Sequence, residues 1–183
     1  MSVTLFSLRF GRARGKMPPL GAMSLAASLA AEEISCDLVD TQFDPAINPF
    51  AVEALVASIR QSRSPILAFS IFNDAVPLLT AVLDLLQPEL AGRRVFLGGP
   101  GVVGIERRLI ERLPAVEMVI VGEGETALPL AITDPGAARQ RQGVFCRDDH
   151  GHPQGSGRSP RENLDAIPAV QWDWCKGRGY STL

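Results

Sequence analysis

The sequence predicts an α/β chain in which a parallel sheet is covered by helices on both faces. Three observations carry that expectation. Short apolar runs recur from residue 3 to about residue 132. They lack the polar alternation of a half-exposed sheet, so both faces of each strand must be buried. Between them lie segments with apolar residues at helical spacing, and strand–helix–strand alternation marks parallel crossovers.

The elements follow in order. Val3–Leu8 (VTLFSL) is the first strand. Pro18-Pro19-Leu20 opens a helix reaching about Glu33, because proline's missing N–H has no intrahelical partner to lose in a first turn. Its alanines allow close packing on a sheet. Cys36–Asp40 (CDLVD) is the second strand. Asn48–Ser62 is the second helix, with Val52, Leu55, Val56 and Ile59 at i, i+3, i+4 and i+7. Ile66–Ile71 (ILAFSI) is the third strand, and a helix from about Ala75 to Leu86 puts Leu79, Val82, Leu83 and Leu86 on one face. Val95–Leu97 is the fourth strand, closed by Gly98-Gly99-Pro100 and followed by a helix holding Ile105, Leu109, Ile110 and Leu113. Met118–Val121 is the fifth, closed by Gly122, with a last helix from about Gly124 to Ile132.

Five such strands joined by right-handed crossovers suit the order 2-1-3-4-5, a flavodoxin-like (Rossmann-like), doubly wound parallel sheet. Ligands of such sheets bind beyond the carboxyl ends of the strands. The loops at that edge are Arg9–Met17, Asp40–Asn48, Ser70–Asp74, Gly98–Gly104 and Gly122–Thr126. Residues 1–133 read as this domain. Residues 134–183 read as a β-turn segment and a C-terminal irregular arm, with a strand at Val144–Cys146, a turn at Asp148–Gly151 and two tryptophans near the end. An arm that stops at Tyr180-Ser181-Thr182-Leu183 implies that the natural chain continues.

Composition narrows the function. In 183 residues, 46% hydrophobic and 21% charged content describes one globular domain. Eighteen basic against 20 acidic residues give a net charge of −2, so no sequence-wide field points to nucleic acid. No apolar run approaches the roughly 18–20 residues that span a bilayer. Arg9, Arg12, Arg14 and Lys16 follow the apolar stretch Val3–Leu8 instead of preceding it, which reads as strand and loop, not as a targeting peptide; a cytoplasmic protein is expected. Cys36, Cys146 and Cys175 are too widely spaced for a disulfide framework or a CxxC site.

Several motifs have two readings. Gly99-Pro-Gly101-Val-Val-Gly104 satisfies GxGxxG between a strand and a helix, but on the fourth strand and with Pro100 removing a donor; it suits either a dinucleotide phosphate or a tight turn. Gly122-Glu-Gly-Glu125-Thr126 puts two carboxylates at a helix start, where they complement the dipole or hold polar groups of a ligand. Gly11–Lys16 is a basic loop without phosphate-loop spacing. His150 and His152 offer, with Cys146, an awkward set for zinc. Asp40 at a strand end suits a ribose contact or a loop cap.

Taken together, the chain resembles the N-terminal cobalamin-binding domain of cobalamin-dependent radical S-adenosylmethionine enzymes. The resemblance is carried by Pro18-Pro-Leu-Gly21 with LAASLA, CDLVD, ILAFSIFN, Leu97–Gly101 and Val121–Thr126. Asn163-Leu-Asp-Ala-Ile-Pro168, Trp172-Asp173 and Tyr180-Ser181 resemble the linker toward the radical domain. There are two departures. Gly101 stands where the family commonly carries histidine after GGP, and the CxxxCxxC motif that binds an iron–sulfur cluster is absent.

The resemblance implies a domain that positions cobalamin, with a C-terminal radical domain of the same chain carrying a [4Fe-4S] cluster and S-adenosylmethionine. It implies methyl transfer as the parent's chemistry and no catalytic residue or metal ligand in this segment. Cofactor contacts are expected from Ser70, Phe72 and Asn73, then Gly98, Gly99, Pro100 and Gly101, then Gly122, Glu123, Gly124, Glu125 and Thr126. Gly99→Val or Gly124→Val is expected to weaken binding and leave the fold intact. The loop after Leu8 lacks the DxHxxG histidine, so a base-off cobalamin without a protein histidine is expected, with Phe72 or Asn73 near the cobalt. The alternatives are a degenerate structural module that has lost the cofactor, and a nucleotide-binding oxidoreductase domain using GxGxxG.

Overall fold

A computed structural model of the chain describes residues 1–8, 17–41, 52–161 and 163–180. Its strands are β1 (Ser2–Leu8), β2 (Ser35–Asp40), β3 (Ile66–Ile71), β4 (Arg94–Gly98), β5 (Val116–Ile120), β6 (Val144–Arg147) and β7 (Pro153–Gln154). Its helices are α1 (Leu20–Ala31), α2 (Val52–Gln61), α3 (Val76–Leu86), α4 (Glu106–Arg112), α5 (Ala127–Thr133) and α6 (Pro135–Arg139). The basic loop Gly11–Lys16, most of the loop Asp40–Asn48, the expected helix start at Asn48 and Ser181 lie outside the described residues.

All strands join one sheet of order β2-β1-β3-β4-β5-β6-β7. The first five are parallel and adopt the order 2-1-3-4-5. The expectation of a five-stranded, all-parallel sheet needs correction, because β6 pairs antiparallel with β5 and β7 antiparallel with β6. The cause is local. After α5 and α6 the chain re-enters the sheet with Val144 opposite Ile120, the last residue of β5, and runs back along that strand with Val144, Phe145 and Cys146 all buried.

The two faces divide the core by strand alternation. One face carries Phe6, Leu8, Phe69, Ile71, Leu97 and Val119 under α2, α3 and α4. Phe6 and Phe69 sit in register on adjacent strands with ring centroids 5.0 Å apart. The other face carries Val3, Leu5, Ala68, Phe96 and Met118 under α1 and α5. Small residues in α1, among them buried Ala22 and Ala27, let it lie close to the sheet.

Three arginines at the amino edge of the parallel strands satisfy carbonyls at helix C-termini and in the segments between those helices and the next strand, where positive charge is favoured. Arg94 donates to the Ala131 and Ile132 carbonyls at 2.6 and 3.0 Å and pairs with Glu117 at 2.7 Å. Arg93 donates to the Ser64 carbonyl at 2.8 Å. Arg147 donates to Leu113 and Val116 at 2.9 and 2.7 Å and also to Ile110. Among the described residues, no helix is long and apolar enough to cross a membrane.

Candidate functional site

The register of the strands builds a cavity at their carboxyl ends. Leu38, Leu5, Ala68, Phe96 and Met118 form one apolar row across the sheet on the α1–α5 face. Two residues further along β2, β1, β3 and β4, the row becomes Asp40, Ser7, Ser70 and Gly98, while β5 keeps the apolar Ile120. The change from large apolar to small and polar opens a cavity of about 210 Å³. Leu5, Ala68, Phe96 and Ile120 are its floor, Gly21 and Leu25 of α1 one wall, and Leu128 of α5 with the Gly122–Glu125 loop the other.

Eight of the expected contacts line this cavity: Ser70, Gly98, Gly99, Pro100, Gly122, Glu123, Gly124 and Glu125. The glycines differ in what they do. A Cβ on Gly98 would meet only the Ile120 carbonyl at an ordinary 3.5 Å, and one on Gly124 would lie 2.8 Å from Leu25 Cδ2, a movable side-chain end. Those two positions keep the cavity open. Gly99 instead has φ +90°, and its Cβ would lie 2.7 Å from the Ile71 carbonyl oxygen. Gly122 has φ +99° and backs onto Ser159, 2.9 Å from its backbone nitrogen. Both are required by the backbone itself, so the expectation that Gly99→Val leaves the fold intact does not hold.

Four expected contacts stand outside the cavity. Phe72 and Asn73 are exposed at the end of β3, where Phe72 N-caps the turn Asn73–Ala75. Gly101 is buried against that turn, its Cβ position 2.5 Å from the Phe72 carbonyl carbon. Thr126 accepts a hydrogen bond from Arg141 at 2.5 Å and lines a second groove that shares Glu125. Met17, Leu20, Phe72 and Val103, four of the seven large apolar residues that are exposed among the described residues, stand where the chain passes between strand and helix at the carboxyl edge of the sheet. Sequence reasoning missed the floor and α1 walls; strand alternation on the α1 side was the signal that identifies them.

The histidines are remote from this edge. β6 runs antiparallel to β5, so the turn after Arg147 lies at the amino edge of the parallel strands. There the Asp148 carboxylate accepts the His150 and His152 amides at 2.9 and 2.8 Å, and those hydrogen bonds help hold its pKa below the usual carboxylate range. No cluster of three metal-ligating side chains occurs among the described residues. Burial, reinforced by Asp37, pushes the Cys36 thiol up to about 12, which keeps it protonated near neutral pH.

Fold and cavity together define a doubly wound ligand-binding domain whose site is a glycine-walled cleft at the carboxyl edge. The chain belongs to the B12-binding domain family, whose model matches residues 7–132. Among solved structures it is similar to the cobalamin-dependent S-adenosylmethionine radical enzyme OxsB with aqua-cobalamin bound, with a TM-score of 0.72 and 19% identity over 91% of this chain. It is also similar to the radical S-adenosylmethionine methyltransferase TsrM from Kitasatospora setae with cobalamin and a [4Fe-4S] cluster bound, with a TM-score of 0.64 and 14% identity over 92% of this chain. The TsrM structure with tryptophan substrate and a S-adenosylmethionine analogue gives a TM-score of 0.62 at 18% identity over 93% of this chain. The chain spans 23% of the OxsB chain and 31% of the TsrM chains. No curated protein matches it.

Proposed function

We propose that this chain is the cobalamin-binding domain of a cytoplasmic, cobalamin-dependent radical S-adenosylmethionine methyltransferase. One observation carries the reading: an apolar-floored cavity walled by Gly98 and Gly124 opens at the carboxyl edge of the sheet, the edge that also exposes Met17, Leu20, Phe72 and Val103. The cavity has room for a bicyclic base and not for a macrocycle. It therefore suits the displaced nucleotide base of a corrinoid, with the ring system over that edge.

In this reading Gly98 and Gly124 admit the base between α1 and α5, the Ser70 hydroxyl donates to its free ring nitrogen, and Glu123 and Glu125 accept from hydroxyl and amide groups of the nucleotide and the corrin side chains. Pro100, Gly101 and Gly99 fix the loop that supports Phe72. Phe72, 43% exposed, and Asn73 would hold the corrin at this edge, and neither His150 nor His152 would reach it. When bound, the cofactor supplies methyl transfer through cobalt; the protein supplies orientation and exclusion of competing ligands. A [4Fe-4S] cluster and S-adenosylmethionine belong to the radical domain that follows in the same chain.

The test is reconstitution. After incubation with hydroxocobalamin and desalting, the chain is expected to retain a red chromophore at one equivalent, and with S-adenosylmethionine and reductant to form no deoxyadenosine. A colourless product would identify the degenerate module, and a bound nucleotide the oxidoreductase alternative.

A further inference from the structure

Helix α1 is a wall shared by two spaces. At about 100° per residue, Gly21, Leu25, Ser28 and Glu32 fall on one side and Met23, Ala26, Ala27 and Ala30 on the opposite side. The first set lines the candidate cavity and the groove beside it. The second set lines a groove of about 160 Å³ whose outer wall is Gln171 and Trp174 of the arm.

The arm is fastened to that second side. Val170, Trp174 and Cys175 pack against the α1–α5 core, and Cys175 Sγ lies 3.7 Å from Met23 Sδ. The Arg178 guanidinium sits 4.3 Å above the Trp174 ring, whose centroid is 5.7 Å from that of Tyr180. The Tyr180 hydroxyl then donates to Asp40 Oδ2 at 2.9 Å. Asp40 is buried and occupies the same cross-strand row as Ser7 and Ser70, the last of which lines the cavity.

We propose that Tyr180 and Asp40 form a latch coupling the docking of the arm, residues 163–180, to the filling of the α1–α5 cavity. The coupling to a ligand rests on the cobalamin reading above. Leu25 of α1 stands opposite Gly124 in the cavity wall, so a group that fills the cavity packs on one side of α1 and holds that helix in place. The opposite side of the same helix lines the groove beside Trp174, so fixing α1 also fixes the surface on which the arm docks. Filling one side tightens the other. By linkage, a docked arm raises ligand affinity by the same factor by which ligand favours docking.

Trypsin cleavage after Lys176 and Arg178, read by mass spectrometry on the whole chain, tests the latch. Hydroxocobalamin is expected to slow cleavage on the order of fivefold or more. Cobinamide, which lacks the nucleotide, is expected to leave it unchanged. Tyr180→Phe, with native circular dichroism, is expected to speed cleavage of the cofactor-free chain and weaken hydroxocobalamin binding. Asp40→Asn, which keeps an acceptor oxygen, falls between. Gly124→Val presses on Leu25 without any ligand and is expected to protect the arm by itself. Cleavage indifferent to both hydroxocobalamin and Gly124→Val overturns the coupling, as does unchanged hydroxocobalamin affinity in Tyr180→Phe. Protection by Gly124→Val in a chain whose wild type binds no cobalamin keeps the coupling and overturns the cobalamin reading.

Discussion

Gly124 and Leu25 meet across the mouth of the cavity, with Leu25 Cδ2 2.8 Å from where a Gly124 Cβ would stand. The opening is therefore set by the absence of one methyl group on α5's leading loop and by the rotamer of one leucine on α1. Gly124→Val and Gly98→Val are both expected to reduce cobalamin affinity at least about tenfold, since about 1.4 kcal/mol of lost contact suffices for that factor. Titration followed by the corrinoid absorbance checks this, with circular dichroism expected to remain native.

Gly99 gives the opposite outcome. Its φ of +90° and the 2.7 Å approach to the Ile71 carbonyl make any side chain there a backbone problem. Gly99→Ala is expected to cost about 1–3 kcal/mol of stability. A lowered thermal midpoint in the cofactor-free protein, before any ligand is added, is the measurement.

The axial position of cobalt can be read spectroscopically. Both histidines of the chain lie in the turn at the amino edge, away from the cavity. Electron paramagnetic resonance of the Co(II) form is expected to lack superhyperfine splitting from an axial nitrogen. Splitting that disappeared in His150→Ala or His152→Ala would sink the model, and splitting that survived both would mean that the cofactor's own base stays on.

Tyr180 is the chain's one tyrosine, so its phenol can be titrated alone. Burial, followed by the Asp40 carboxylate it bonds, pushes that phenol well above its ordinary value. The folded state thus favours the neutral form. This contribution is fully present below the unfolded value of about 10 and is lost as pH rises through the higher folded value. Tyrosinate absorbance is expected to appear at higher pH in the native chain than in denaturant; coincident curves would show the arm undocked.

From the last position of β6, Arg147 binds the Ile110 and Leu113 carbonyls at the end of α4 and the Val116 carbonyl at the start of β5. Arg147→Met keeps the stem and leaves those acceptors without their donor. A loss of about 1–3 kcal/mol in denaturant unfolding is expected, with little change in cobalamin affinity.

What the sequence made legible follows from periodicity. The five parallel strands were readable because their uninterrupted apolar runs leave few alternatives, and right-handed crossovers then restrict the order. β6 was readable as a strand at Val144–Cys146, but its direction was not, because a connection holding two short helices can return the chain to either edge of the sheet. The glycine loops were readable as a group and not individually. Gly98 and Gly99 are neighbours in sequence, yet a Cβ on the first would meet the Ile120 carbonyl at an ordinary 3.5 Å and one on the second the Ile71 carbonyl at 2.7 Å. The cavity floor was hidden in plain strand residues such as Ala68 and Phe96, whose place in a site emerges only from register. Tyr180 and Asp40 are 140 positions apart, and no local pattern links them.

The far side of the sheet has a bearing on assembly. An open parallel edge at β5 would offer a ladder of unpaired amides and carbonyls to any passing strand. β6 occupies that ladder in the antiparallel sense, and β7 ends it after two residues, the first of them Pro153, which has no N–H to donate. Hydrogen-bonded recruitment of another chain is thereby discouraged along this border. Whatever neighbour abuts it, a further domain or a second molecule, has to be recognised through side chains such as Arg107, which lies over Phe145 and bonds the carbonyls of Pro153 and Gly155. Mutational disruption of such a contact can then be sought among surface charges, leaving the backbone network of the sheet untouched.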